Sequence, residues 1–257
     1  RLTISDPQMI SSAGWSPNCQ ACCAVISAPS DPHGKSGLYV FRLKDRKFRR
    51  AMRGPVTEPV WSGDGRYLAC AWQGGAIPKS LPAGAQMQVG VVRVIDLASL
   101  RQVLSTGKLA RDIIFSPDGR KVVFTELVRD EYGDFETYEV RVADITSGRV
   151  QSITTNRRRP GYVWAGNGGL AVVTKDRYGV PSISLADLSA RKSARLASNR
   201  EYADFVPLAY VPSRNLVVYK TVSDTSGNGT EELWTVKPGG APVRLFPRVG
   251  EVRHAKR

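Results

Sequence analysis

The stretch Trp61–Trp72, WSGDGRYLACAW, joins an aromatic residue, a tight Asp-Gly turn and a short apolar run. Asp64-Gly65 suits a hairpin because glycine accepts a positive φ at no steric cost. The same arrangement recurs as WSPNCQACCAVIS from Trp15, FSPDGRKVVFTE from Phe115, WAGNGGLAVVTK from Trp164 and YVPSRNLVVYKT from Tyr210. The five starts lie 46 to 54 residues apart. Periods of this length made of several strands indicate propeller blades.

The rest of each unit repeats as well. A second β-rich run follows, as in LYVFRL from Leu38, VGVVRVIDL from Val89, YEVRVADI from Tyr138, PSISLADL from Pro181 and ELWTV from Glu232. A third comes after a short turn: KFRRAM from Lys47, RQVLST from Arg101, RVQSIT from Arg149, SARLAS from Ser193 and PVRLF from Pro242. With the strand leading into each aromatic residue, every unit has four strands, a to d, rich in Val, Ile, Leu and Tyr. No segment keeps a helical apolar period. The expected fold is therefore all-β, a β-propeller of four-stranded antiparallel blades in one domain, with units at roughly 9–55, 56–108, 109–157, 158–203 and 204–250. The ring is either five-bladed or part of one with six or more blades. Arg1-Leu2-Thr3 reads like the end of a strand d, and Arg1 as a processed or trimmed start.

A four-stranded sheet cannot bury both faces alone, so blades stack radially. Trp15, Trp61, Phe115, Trp164 and Tyr210 are accordingly expected to pack between neighbouring blades. Asp96, Asp144 and Asp187 end strand c and are expected to start c–d turns, since Asp side chains bond the backbone just beyond them.

WSGDGRYLA, FSPDGRKVVF, the VIDL and VADI strand ends and the closing RL-type strands resemble TolB-type propeller repeats. The same repeat is found in propeller domains of the prolyl oligopeptidase class. The resemblance covers essentially the whole chain. It implies a propeller, and an extracytoplasmic, periplasmic setting, with the cytoplasm as the alternative. Repeats one, four and five depart from the Ser-Pro-Asp-Gly turn, carrying Pro17-Asn18-Cys19-Gln20, Gly166-Asn167-Gly168-Gly169 and Pro212-Ser213-Arg214-Asn215.

Composition restricts the function classes. The 257 residues hold 37 Lys+Arg against 23 Asp+Glu, a net charge of +14, which attracts acidic partners. The uncharged stretch Pro7–Ser30 is too polar to span a membrane, and no signal sequence opens the chain. Cys19 and Cys22 have the C-x-x-C spacing of zinc sites, yet no second pair follows, and the two histidines, His33 and His254, lie apart from them. Neither a metal nor another cofactor is expected. Cys22 and Cys23 belong in strand b of the first unit, on opposite faces, while a bridge from Cys70 to another cysteine stays open.

Nor is catalysis expected. The chain has no G-x-S-x-G elbow and no α/β segment to carry one. Gly34-Lys35-Ser36 lacks the rest of a phosphate loop, and the acidic run Asp130–Glu136 lacks the alternating spacing of a calcium loop.

The connections say which edge works. The a–b and c–d turns are tight, whereas the b–c connections are longer: Ala28–Gly37, Gln73–Gln88, Leu127–Thr137, Lys175–Val180 and Val222–Thr230. The b–c and d–a loops leave the same side of a blade, where scaffolds usually carry function. The candidate binding residues on that side are Arg111, Arg129, Arg157, Arg158, Arg159, Arg177 and Arg200, with Tyr178 and Tyr202. Guanidinium groups bind oxyanions bidentately, and aromatics among them suit a protein hot spot or single-stranded nucleic acid. The run Arg157–Arg159 is alternatively a solvated charge run. The sequence thus points to a non-enzymatic scaffold that binds a protein partner. The alternatives are binding of an acidic polymer, nucleic acid or anionic glycan, and a propeller domain separated from a hydrolase.

Overall fold

The computed structural model describes residues 9–27, 34–74, 89–129, 135–156, 159–176, 178–202, 204–223 and 230–246. Residues 1–3, expected to end a strand d, lie outside them. The chain divides into two compact units, Arg1–Ser152 and Ile153–Arg257.

In the first unit, β1 (Met9–Trp15), β2 (Ala21–Ser27), β3 (Gly37–Arg42) and β4 (Lys47–Arg53) form an antiparallel sheet in chain order. A second sheet has seven strands in order: β5 (Val56–Trp61), β6 (Tyr67–Trp72), β7 (Gly90–Asp96), β8 (Arg101–Phe115), β9 (Lys121–Arg129), β10 (Phe135–Asp144) and β11 (Val150–Asn156). The boundary between the units falls within β11. In the second unit, β12 (Tyr162–Ala165), β13 (Gly169–Lys175), β14 (Pro181–Asp187) and β15 (Lys192–Ser198) form one four-stranded sheet. The last sheet comprises β16 (Asp204–Val211), β17 (Leu216–Val222), β18 (Glu231–Val236) and β19 (Val243–Arg244). The strands fall where the repeat places a to d. The helical content of the described residues is one 3₁₀ turn, Pro212–Arg214.

One boundary differs from expectation. Strand d of repeat two and strand a of repeat three are the single strand β8, with no loop between them. Ala110 pairs with Gly90 on one side and with Glu126 on the other, so the two four-stranded sets share this strand. Gly107 (φ 73°) and Asp112 (φ 58°) turn the backbone inside β8 and take up the bend.

Alternation sends apolar side chains into cores shared between successive repeats. Ala21, Cys23, Val25, Leu38 and Val40 of the first sheet meet Leu68, Cys70 and Ile95 of the second. Ala69, Ala71, Val92 and Val94 meet Phe115, Val122 and Phe124. In the second unit Ala171, Val173 and Ile183 meet Phe205, Val217 and Tyr219. Full burial of each such aliphatic or aromatic side chain contributes about 1.5–3 kcal/mol. Cys22 and Cys23 lie in β2, half-buried and buried, and all four thiols are free, which answers the open question about Cys70.

Among the repeated aromatics, Phe115 and Trp164 are buried, and Trp61 and Tyr210 are half-buried against their cores. Trp15 is the exception: 57% of its surface is exposed.

The tight turns share one hydrogen-bond scheme. Ser62 Oγ donates to Asp64 Oδ1 at 2.6 Å, Ser116 Oγ to Asp118 Oδ1 at 2.7 Å, and Ser16 Oγ to Asn18 Oδ1 at 2.7 Å. Repeat one therefore keeps the turn despite its altered sequence, with Cys19 at φ 54° where the others have Gly65 and Gly119. Asp96, Asp144 and Asp187 start c–d turns as expected, each Oδ1 accepting two backbone N–H groups just beyond it.

Candidate binding face

In each sheet the antiparallel order brings the start of a, the end of b, the start of c and the end of d to one edge. In the second unit this edge is pinned from beneath. Asn156, buried at the end of β11, accepts the Lys175 backbone N–H on Oδ1 at 3.4 Å. Lys175 Nζ lies 3.2 Å from Asp204 Oδ2, tying the end of β13 to the start of β16. Pro160 is buried, and a Cβ on Gly161 would stand 2.8 Å from Pro207 Cδ.

Three candidate residues emerge along this edge, and a fourth lies beneath it. Arg159 is exposed just before β12, and Arg200 is exposed after β15 in a turn where Asn199 Oδ1 accepts the Glu201 N–H at 2.9 Å. Tyr178 is 71% exposed at the tip of the β13–β14 turn. That turn is held by Asp176 Oδ1, which accepts the Tyr178 and Val180 N–H groups at 2.8 and 3.0 Å. Tyr202 is half-buried and faces inward. Its hydroxyl donates to Glu232 Oε2 at 2.8 Å, and its ring lies 6.0 Å from that of Phe205 and edge-on to Trp234. Burial pushes the nearby Tyr219 phenol up to about 12, with Tyr202 adding to the effect. Tyr202 supports the face from below.

The remaining candidates are placed differently. Arg157, Arg158 and Arg177 lie outside the described residues. Arg129 closes β9, its backbone opposite Phe135. Arg111, expected in an exposed loop, is buried in β8 because that strand runs on without a break; its Nε lies 3.5 Å from Asp112 Oδ2. Lys108 is likewise engaged, with Nζ 2.8 Å from Glu126 Oε1.

Two features escaped sequence reasoning. Glu126 is buried opposite Glu139 in the β9–β10 register, and Arg141 joins them, with Nε 2.7 Å from Glu126 Oε2 and Nη2 2.6 Å from Glu139 Oε2. The Glu-x-Arg of β10 is a local signal for such a pair; its partner Glu126 is 13 residues away, visible only once the strands are in register. The second is a cleft of about 730 Å³ at the opposite, tight-turn edge of the seven-stranded sheet, lined by Asp64, Arg66, Asp118, Arg120 and Asp144 among others. Its signal was the arginine that follows each Asp-Gly turn. The Oδ1 atoms of these three aspartates are already engaged by their own turns.

No protein-family model matches the chain. A curated relative, the Tol-Pal system protein TolB of Francisella tularensis subsp. mediasiatica, is 23% identical over 207 residues, 77% of this chain and 44% of that protein. The chain is similar to TolB. It spans less than half the length of the TolB proteins it matches. Among solved structures, the β-propeller domain of the trilobed protease from Pyrococcus furiosus aligns with a TM-score of 0.61 at 14% identity, over 96% of this chain and 73% of that one. The acylaminoacyl peptidase of Pyrococcus horikoshii also gives 0.61 at 14% identity, over 94% of this chain and 40% of that one. These likenesses show the fold, a β-propeller scaffold. Among the described residues no helix is long and apolar enough to cross a membrane.

Proposed function

We propose that the chain is a non-enzymatic propeller scaffold, its five repeat units serving as successive blades of one domain, which takes a protein partner through the b–c/d–a edge. The supporting observation is Tyr178, a largely exposed ring on a turn fixed by Asp176, on the same edge as exposed Arg159 and Arg200. Rigid aromatics flanked by guanidinium groups carry much of the energy of protein interfaces. An acidic polymer would instead favour a track of uncommitted cations. In the described residues Lys108, Arg141, Lys175 and Lys220 all face carboxylates. An extracytoplasmic setting accords with the similarity to TolB.

A second reading, a propeller that works beside a hydrolase domain, draws on the acylaminoacyl peptidases among the structural neighbours, of which the chain covers 38% and 40%. Capture of partners from nuclease-treated lysate at low and high salt, by the chain and by Tyr178→Ala, separates the readings. Protein capture that survives nuclease and falls with Tyr178→Ala supports the proposal. Capture lost to nuclease, with a steep salt dependence, assigns the face to an acidic polymer. Selective recovery of a hydrolase supports the second reading.

A further inference from the structure

The c–d hairpin of the first sheet, Arg42–Arg50, keeps the backbone of its counterparts and reverses their charge. The Arg46 N–H donates to the Arg42 carbonyl at 2.9 Å, as Leu100 does to Asp96 at 2.8 Å and Gly148 to Asp144 at 2.9 Å. Arg46, Leu100 and Gly148 all hold a left-handed backbone, with φ of 50°, 56° and 68°. Arg42 therefore stands where repeats two, three and four start the turn with Asp96, Asp144 and Asp187. A guanidinium cannot accept the N–H groups that those carboxylates accept. Arg42 Nη1 instead donates to the Leu97 carbonyl at 3.0 Å, and the turn forms without the acceptor.

Residues 42–50 hold six cations and one acid, a net charge of +5. The equivalent windows 96–104, 144–152 and 187–195 carry 0, 0 and +2. Asp45 is shared between Arg42 and Arg49, the latter with Nη2 3.9 Å away. Lys44, Arg46 and Lys47 are exposed, and none of them pairs with a carboxylate among the described residues. Two apolar side chains stand among these cations: Leu43 is 43% exposed and Phe48 41%. Cations on an edge strand discourage pairing with another chain, which accounts for Arg49 in β4 but not for Lys44 and Arg46 in the turn.

We infer that this hairpin docks on an anionic phospholipid bilayer. Clustered Lys and Arg gain energy near a negative lipid surface, and apolar side chains between them enter the headgroup boundary. The end of a hairpin offers no groove to track a polymer backbone. The Phe48 ring already leans on Phe41, with centroids 4.9 Å apart, so that face is closed to a stacking base. A plane of headgroups can meet the turn cations and Leu43 together. The hairpin lies at the tight-turn edge, opposite the b–c/d–a edge, and the inference stands apart from the protein-partner reading.

Sedimentation of the 257-residue chain with vesicles of phosphatidylcholine, alone or mixed with phosphatidylglycerol, tests it. The chain should pellet with the mixed vesicles only, and less as salt rises. The triple variant Lys44→Gln, Arg46→Asn, Lys47→Thr puts at position 46 a residue that tolerates the left-handed turn. It should keep its thermal midpoint within about 2 °C and bind on the order of 100-fold more weakly, about fivefold for each cation. If it melts far lower, Lys44→Gln alone replaces it, with a fivefold loss expected. Leu43→Gln should weaken binding roughly threefold or more at unchanged salt dependence. A control that removes the same charge from other c–d turns, Arg149→Gln with Arg191→Asn and Lys192→Thr, should lose less than about fivefold. No pelleting with the mixed vesicles, equal pelleting with neutral ones, or equal losses in the two triple variants overturns the inference. Tighter binding of a single-stranded oligonucleotide, lost in the first triple variant and untouched by Leu43→Gln, would assign the hairpin to nucleic acid and overturn it equally. Each of these failures leaves partner capture through Tyr178 unaffected.

Discussion

The Asn18 side chain donates from Nδ2 to the backbone carbonyl of Asp64 at 3.0 Å, fastening the first a–b turn to the second. A Cβ on Gly65 would lie 2.6 Å from that same nitrogen, and one on Gly119 3.3 Å from Ser62 Cβ. The turns of three successive repeats are thus in contact along one edge, and each glycine there serves both a positive φ and a close approach.

Cys19 holds a left-handed conformation that its counterparts give to glycine, and its side chain is exposed. An L-residue there costs about 1–2 kcal/mol, part of which glycine returns through its freer unfolded chain. Cys19→Gly should stabilise the protein by about 0.5–1 kcal/mol, seen as a higher urea midpoint with unchanged slope. Gly65→Ala should destabilise it by at least about 1 kcal/mol, since both φ and Asn18 oppose the new methyl group.

Acid should loosen the turns. Burial tends to raise the Asp118 carboxyl, but the Ser116 hydroxyl and the Arg120 N–H outweigh it and hold it below the usual carboxylate value. The Ser147 N–H leads the same lowering at Asp144. A carboxyl lowered on folding contributes stability above its unfolded pKa, about 3.9, and loses it as pH falls through the folded value. Unfolding midpoints should therefore drop at pH below about 4. Asp118→Asn should flatten that drop, because Asn18 already fills the equivalent role as an uncharged acceptor. An undiminished drop in Asp118→Asn would remove Asp118 from the acid response.

Glu126 is buried between Lys108 and Arg141, whereas the Lys108 side chain is 61% exposed. Removing the buried partner leaves Arg141 with Glu139 alone and should cost about 1–3 kcal/mol in Glu126→Ala. Lys108→Ala should cost less than about 1 kcal/mol. Equal losses in chemical denaturation would place the energy elsewhere.

Thiol chemistry should grade the cysteines by depth. Cys19 is exposed and Cys22 half-buried, burial raises the thiols of Cys22 and Cys23, and it pushes Cys70 up to about 12. An aromatic disulfide reagent should modify Cys19 quickly and Cys22 more slowly, and reach Cys23 and Cys70 only on unfolding. Rapid labelling of Cys70 in folded protein would contradict its placement in the core.

Much of the fold was legible because its signals are local. The aromatic corner, the Ser-x-Asx turn and the Asp at the end of strand c each act within a few residues, so β2, β6, β9 and the turns at Asp96, Asp144 and Asp187 fell where the repeat put them. What was not legible depends on neighbours. Trp15 and Trp61 sit in nearly the same words, Trp-Ser-Pro-Asn and Trp-Ser-Gly-Asp, yet Trp61 packs against the core of the first sheet while Trp15 is largely exposed. Arg111 looked like a loop cation because the chain before Phe115 is polar and contains Gly107, a residue that here bends a strand without ending it. Of the candidate face, Arg159, Tyr178 and Arg200 were placed on an exposed edge as read, whereas the inward turn of Tyr202 required its distant partner Glu232.

The unbroken run of β8 joins repeats two and three in one seven-stranded ladder. The first part of β8 pairs with β7 and the last with β9, Ala110 pairing with both, so the two repeats meet within one strand. Between repeats one and two, by contrast, Gly54 and Pro55 alone separate β4 from β5, and the sheets on either side keep separate ladders. Cutting and rejoining the chain at that seam preserves every strand, while moving the termini into β8 divides two sheets at once. The first junction is a seam in the ladder alone, since the two sheets still share one core.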